Sequence, residues 1–140
     1  MLTTPADKYF SLCVRERAAW KCEYCGKHVP MRCGCHVFSR GAGRLDHPLN
    51  LVALGLNPFT DCPCHQDSHS KGIPSQMDLL TVVAAREGAL QDDIHKAIYI
   101  VRALPKSATA RNVAQMCNAF EANLEVVALV GRILKESKDA

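Results

Sequence analysis

Cys33-Gly34-Cys35-His36-Val37-Phe38-Ser39-Arg40, then Asn50-Leu51-Val52-Ala53-Leu54, then Cys62-Pro63-Cys64-His65-Gln66-Asp67-Ser68-His69: the reading of this chain turns on these three runs. Cys22-Glu23-Tyr24-Cys25 stands just before them. Six of the chain's eight cysteines fall between Cys22 and His69, together with most of its histidines. Thiolate and imidazole are the usual ligands of zinc, so a run this dense in both points to a metal-built site. The flanking sequence reads as helices that support and aim it.

Within the stretch, Cys22-x-x-Cys25 followed by Gly26 and Lys27 has the form of a zinc knuckle. A tight turn aims two thiolates at one ion, and glycine permits the backbone shape the turn requires. A dithiol redox pair is the competing reading, but it needs a surrounding strand and helix, whereas a Gly-Lys-His-Val-Pro turn follows here. His28 is open to two readings, ligand or loop histidine. Residues 33–38 read as a short strand in which alternation puts Cys33 and Cys35 on one face and His36 on the other. A polar loop rich in Gly, Ser, Arg and Asp follows, then a second apolar strand over 49–54 and a turn-rich connection to residue 63. Residues 64–70 suit a short helix, on which His65 and His69, four apart, share a face.

Outside the stretch, residues 4–19 have helical spacing, with Thr4 as cap and Pro5 in the first turn. Cys13 reads there as a core residue. After Pro74 three helices are expected, over 75–87 with Gly88 as stop, over 92–104 ended by Pro105, and over 109–135 as the longest. Residues 124–134 are apolar nearly all round, which implies burial against the Cys/His unit, the other helices or a second subunit. The fold class is α+β and helix-rich. An N-terminal helix and a small metal-stabilised unit occupy residues 1–72. A helical region occupies 73–140, packing on that unit as one structural domain or on a second subunit.

At 140 residues and a net charge of +3, the chain is of single-domain size and mildly basic, which permits nucleic-acid binding without demanding it. Lys21, Lys27, Arg32, Arg40 and Arg44 surround the Cys/His span, so the basic excess is local there. No apolar signal region follows Met1 and no run approaches membrane-spanning length, so an intracellular, cytoplasmic protein is expected. Thiols stay reduced in that compartment, which favours metal over disulfides.

The order strand–His36–loop–strand–Asn50–connection–helix with His65 and His69, flanked by cysteine pairs, resembles the HNH endonucleases of the ββα-metal class. The match covers roughly residues 20–72, and the Cys-His-Val-Phe-Ser-Arg-Gly run is most similar to the phage recombination and DNA-processing branch. The resemblance implies a bacterial or phage-encoded, metal-dependent DNA endonuclease or nickase. His36 would be its general base, since a neutral imidazole can take a proton from water. Asn50 would brace the loop, and Arg40 would meet a phosphate oxygen with its planar fork. His65 and His69 would hold one divalent cation, Mg²⁺, Mn²⁺ or Zn²⁺, that binds the scissile phosphate and the leaving group. Each role has a plainer counterpart: His36 as a core or zinc histidine, Asn50 as a turn cap, Arg40 as an electrostatic anchor, and His65 or His69 as a structural ligand.

The chain departs from the family pattern twice. Cys35 stands where Asp or His commonly precedes the base, so either Cys35 joins a softer catalytic ion or it belongs to the structural site. Gly55 replaces the first cysteine of the usual closing pair, which becomes Cys62-Pro63-Cys64 after an insertion. The preferred structural zinc set is therefore Cys22, Cys25, Cys62 and Cys64, with Cys33 or Cys35 as substitutes for either of the last two. The expected partner is DNA, held by its backbone with little sequence preference because no base-reading module stands out. A homodimer through the C-terminal helices would pair two sites. The alternative function is a non-catalytic, zinc-stabilised nucleic-acid-binding module.

Overall fold

Leu51-Val52-Ala53-Leu54-Gly55 is apolar at every position, the pattern of a strand covered on both faces. In the computed structural model, which describes residues 21–27, 32–38, 45–55 and 64–138, these residues form β2 (Leu51–Gly55), buried throughout. Its antiparallel neighbour is β1 (Arg32–His36), in a register that sets Cys35 opposite Val52 and His36 opposite Leu51. A single 3-10 turn, Pro48–Asn50, leads into β2 and is wholly buried. The other edge of β2 carries the knuckle, where the Glu23 N–H donates to the Ala53 carbonyl (2.8 Å) and the Ala53 N–H to Glu23 Oε1 (2.9 Å).

Five helices follow among the described residues: α1 (Cys64–Ser70), α2 (Gln76–Glu87), α3 (Gln91–Ala103), α4 (Ala110–Ala119) and α5 (Leu124–Lys138). α2 starts at a capping box, in which the Ser75 hydroxyl accepts from the Asp78 N–H and the Asp78 carboxylate accepts from the Ser75 N–H. It stops at Gly88, whose φ of 66° glycine tolerates without steric cost. α1 and α2 lie against β2, α2 and α3 against the 3-10 turn, and α3 runs along α5. Leu49, Leu54, Val83, Ile94, Ile98, Val130 and Ile133 meet in one continuous core joining hairpin and helices.

The helix expected over 109–135 is two helices. Glu121 takes a left-handed φ of 52°, the Ala122 N–H reaches back to the Cys117 carbonyl (2.9 Å), and the Glu121 N–H reaches Asn118 (3.0 Å). This pair of bonds satisfies the last carbonyls of α4 and turns the chain. Asn123 then caps α5 by accepting from the Val126 N–H (2.8 Å). The expectation that 124–134 is buried nearly all round holds for one face alone. Val126, Val130 and Ile133 are buried, whereas Leu124 and Val127 are exposed. The expected helix over 4–19 lies outside the described residues. No helix among the described residues is long and apolar enough to cross a membrane.

Candidate metal centre and the His36 hairpin

The knuckle is built by its own backbone. The Cys22 N–H donates to the Lys27 carbonyl and the Gly26 N–H to the Cys22 carbonyl, both at 2.8 Å, with Gly26 at a φ of 80°. The Cys25 N–H points at Cys22 Sγ (3.5 Å), the kind of bond that stabilises a thiolate. The Glu23 bonds to Ala53 dock this turn on β2, and α1 brings Cys64 to it. The three sulfurs of Cys22, Cys25 and Cys64 lie within 4.8 Å of one another. Tetrahedral zinc with Zn–S bonds of about 2.3 Å holds its sulfurs about 3.8 Å apart, so the group could close on one ion by small side-chain rotations. Cys22 and Cys64 are buried, Cys25 is exposed, and all three are thiols rather than disulfide halves.

Cys62, expected as the fourth thiolate, lies outside the described residues, as does Arg40. So do the side chains of Cys33, His65 and His69, although β1 and α1 carry those residues. Cys35 stands apart from the three-thiol group. It is buried in the apolar core, and burial pushes its thiol up to about 11.

His36 ends β1. Its Nε2 lies 2.7 Å from Asp46 Oδ1, and both side chains are only 12% exposed. An ionised carboxylate can only accept, so against it Nε2 carries the proton and Nδ1 is the basic nitrogen. Asn50 is fully buried and clasps both ends of the loop between the strands. Its carbonyl oxygen accepts from the Phe38 N–H (2.9 Å), and its amide donates to the carbonyls of Phe38 (3.2 Å) and Leu45 (2.9 Å). The Val37 N–H donates to the Asn50 carbonyl (2.9 Å), which completes the lock.

A chain of charges ties the hairpin to the helices. Arg86 Nη1 donates to both oxygens of Glu23 (2.8 Å each) and to the Leu51 carbonyl (3.1 Å), and its Nη2 donates to the Pro48 carbonyl. Arg86 Nε meets Glu87 (3.1 Å), Arg132 bridges Glu87 (2.6 Å) and Glu136 (2.7 Å), and Glu136 accepts from buried His47 (2.9 Å). Burial holds the His47 imidazole below its usual range, against the opposing pull of the Glu136 bond and charge.

Asp46, Glu23, Arg86 and the His47–Glu136 pair were not legible from spacing. Nothing in the mildly basic loop before Asn50 singled out Asp46, since its partner is fixed by the hairpin register. Comparison with known proteins found no matching family model, no matching curated protein and no matching solved structure.

Proposed function

We propose that this protein is a metal-dependent phosphodiester hydrolase of the HNH kind that acts on DNA. The observation that carries the reading is the hairpin, where His36 backed by Asp46 stands beside a loop cinched at both ends by Asn50. A general base needs a fixed tautomer and a fixed direction, and these two side chains supply one each. The resemblance adds the rest: His65 and His69 on α1 for a catalytic divalent cation, with Cys35 as a third candidate ligand, and Arg40 for the phosphate. The three thiols with Cys62 would form the structural zinc site of a ββα-metal unit that is too small to hold itself together without one.

Plasmid nicking with Mg²⁺, Mn²⁺ or Zn²⁺ tests it. His36→Ala is expected to lower the rate about 100-fold or more, the usual contribution of general base catalysis. Asp46→Asn is expected to give a smaller loss. Equal nicking by parent and His36→Ala removes His36 as the base.

One observation favours a second reading, a non-catalytic zinc-stabilised nucleic-acid-binding module. At 12% exposure the His36 side chain already has its Asp46 partner, as a structural histidine would. Salt-dependent DNA binding without cleavage under any of the three metals selects that reading.

A further inference from the structure

Between Asp93 and Glu121 the chain carries no carboxylate side chain, but it does carry His95, Lys96, Arg102, Lys106 and Arg111. This uninterrupted basic stretch comprises most of α3, the turn after it and α4. His95, Ile98, Tyr99, Arg102 and Ala103 fall on one face of α3 at helical spacing, and with Phe38 they line a cavity of about 250 Å³. That is below the roughly 300–1,000 Å³ of pockets that enclose drug-sized ligands, and it suits a single planar ring system.

The walls are π surfaces. Phe38 stacks on His95 with centroids 4.8 Å apart and planes 25° apart, and Tyr99 meets Phe120 edge-on at 5.2 Å. Two aromatic residues, Phe38 and Tyr99, thus line the cavity beside His95, and Phe120 backs Tyr99 from outside the lining. The Arg102 guanidinium lies 5.8 Å from the Phe38 centroid and donates to the Phe38 carbonyl (2.9 Å). His95 is exposed and Tyr99 is 56% exposed, a large amphipathic ring left open at the mouth. Aromatic faces beside cationic side chains are how proteins grip single strands, by stacking bases and drawing phosphates.

The pocket shares its foundation with the hairpin site. The Phe38 carbonyl accepts from both Asn50 and Arg102. Phe38 is two residues past His36, so their Cα atoms are at most about 7 Å apart.

We propose that the Phe38–His95–Tyr99–Arg102 pocket binds one unpaired nucleobase of a single DNA strand by stacking. It would hold the base next to the phosphodiester presented to His36. The substrate is then DNA with a single-stranded or splayed segment, and preference among bases is weak because every base offers a π face. The inference rests on the hydrolase reading for its choice of polymer but not for its test.

The test is fluorescence anisotropy on the full chain with its cysteine-bound metal and no added divalent cation. A labelled 15-mer of thymidylate is compared with a 15-mer of abasic sites of equal charge. The base-bearing strand is expected to bind about tenfold more tightly, in keeping with the loss on removing one stacking partner. Tyr99→Ala and His95→Ala should each erase most of that difference and leave abasic binding unchanged, while Tyr99→Phe and His95→Phe retain it. Equal binding of the two strands, or alanine variants that match the parent, overturns the proposal. Base-dependent binding with no plasmid nicking under any metal supports the pocket and sinks the hydrolase reading. Nicking without base dependence does the reverse.

Discussion

Asn50 shows how much one amide can decide. A carbonyl oxygen and an amide N–H₂ on the same short side chain accept from Phe38 and donate to Phe38 and Leu45. No apolar residue, and no carboxylate, can do both. Asn50→Ala removes the side-chain partner of the Phe38 N–H and the Leu45 carbonyl, while the Phe38 carbonyl keeps Arg102. Its expected cost is about 2–4 kcal/mol in urea denaturation, from unmet desolvation rather than from the modest net value of each bond. A cost within about 0.5 kcal/mol, the scale of an ordinary surface substitution, would show that the loop does not depend on the clasp. His36 and Asp46 work on the same scale, with the carboxylate fixing which ring nitrogen is basic. Cys35 is the reverse case. Its sequence position suggests a ligand, yet its surroundings are those of a small apolar core residue.

At the level of elements, the knuckle and the α4–α5 corner are each held by local chemistry. The knuckle is held by its own backbone bonds and by Glu23 on Ala53 and Arg86, and an ion on its three sulfurs would add to that hold. The thiols are expected to carry tightly held zinc, and a strong chelator is expected to lower the melting temperature by many degrees. Elemental analysis with melts before and after chelation checks this, and a zinc-free protein with an unchanged melt removes the metal centre. The corner stores a small strain, because Glu121 occupies a left-handed position that glycine fills without penalty. Glu121→Gly is expected to stabilise by about 0.5–1 kcal/mol, the steric relief of about 1–2 kcal/mol less the entropy glycine loses on folding. A lower melting temperature for this variant contradicts that account.

For the whole molecule, the chain from Glu23 through Arg86, Glu87, Arg132 and Glu136 to His47 joins knuckle, hairpin, α2 and α5, and it makes stability depend on pH. Folded His47 titrates below its usual value because it is buried, with its Nδ1 already accepting from the Leu49 N–H (3.1 Å). The unfolded chain therefore takes up this proton first. Stability is full above about 6.5, the unfolded value, and falls as the pH drops from there toward the lower folded value. Burial pushes the Glu87 and Glu136 carboxyls up. Arg132 and Arg86 for the first, and His47 and Arg132 for the second, outweigh it and hold both below the usual range. Their contribution is present above the ordinary value of 4.5 and is lost as the pH falls below it. Urea midpoints are thus expected to decline in two steps, the first absent in His47→Asn. A flat profile between pH 7 and 5 in the parent rules out the His47 step.

The sequence alone determined what rests on short-range pattern: the two strands, α1 to α3 with Ser75 and Gly88 as boundaries, and the knuckle. Each follows from periodicity, a cap or a turn within a few residues. It also indicated that Cys64 belongs with Cys22 and Cys25. The break between α4 and α5 was missed because apolar spacing runs on through it and the turn residue is a glutamate, which carries no helix-stop signal. Only the tertiary structure decided which groups meet across long separations. Asp46 reaches His36 because the hairpin register folds the loop back. Arg86 reaches Glu23, and His47 reaches Glu136, because α2 and α5 share a core with β2 and the 3-10 turn. Phe38 and α3 make a pocket because Arg102 and Asn50 hold the same carbonyl. Such pairs leave no trace in local spacing, since packing rather than propensity brings them together.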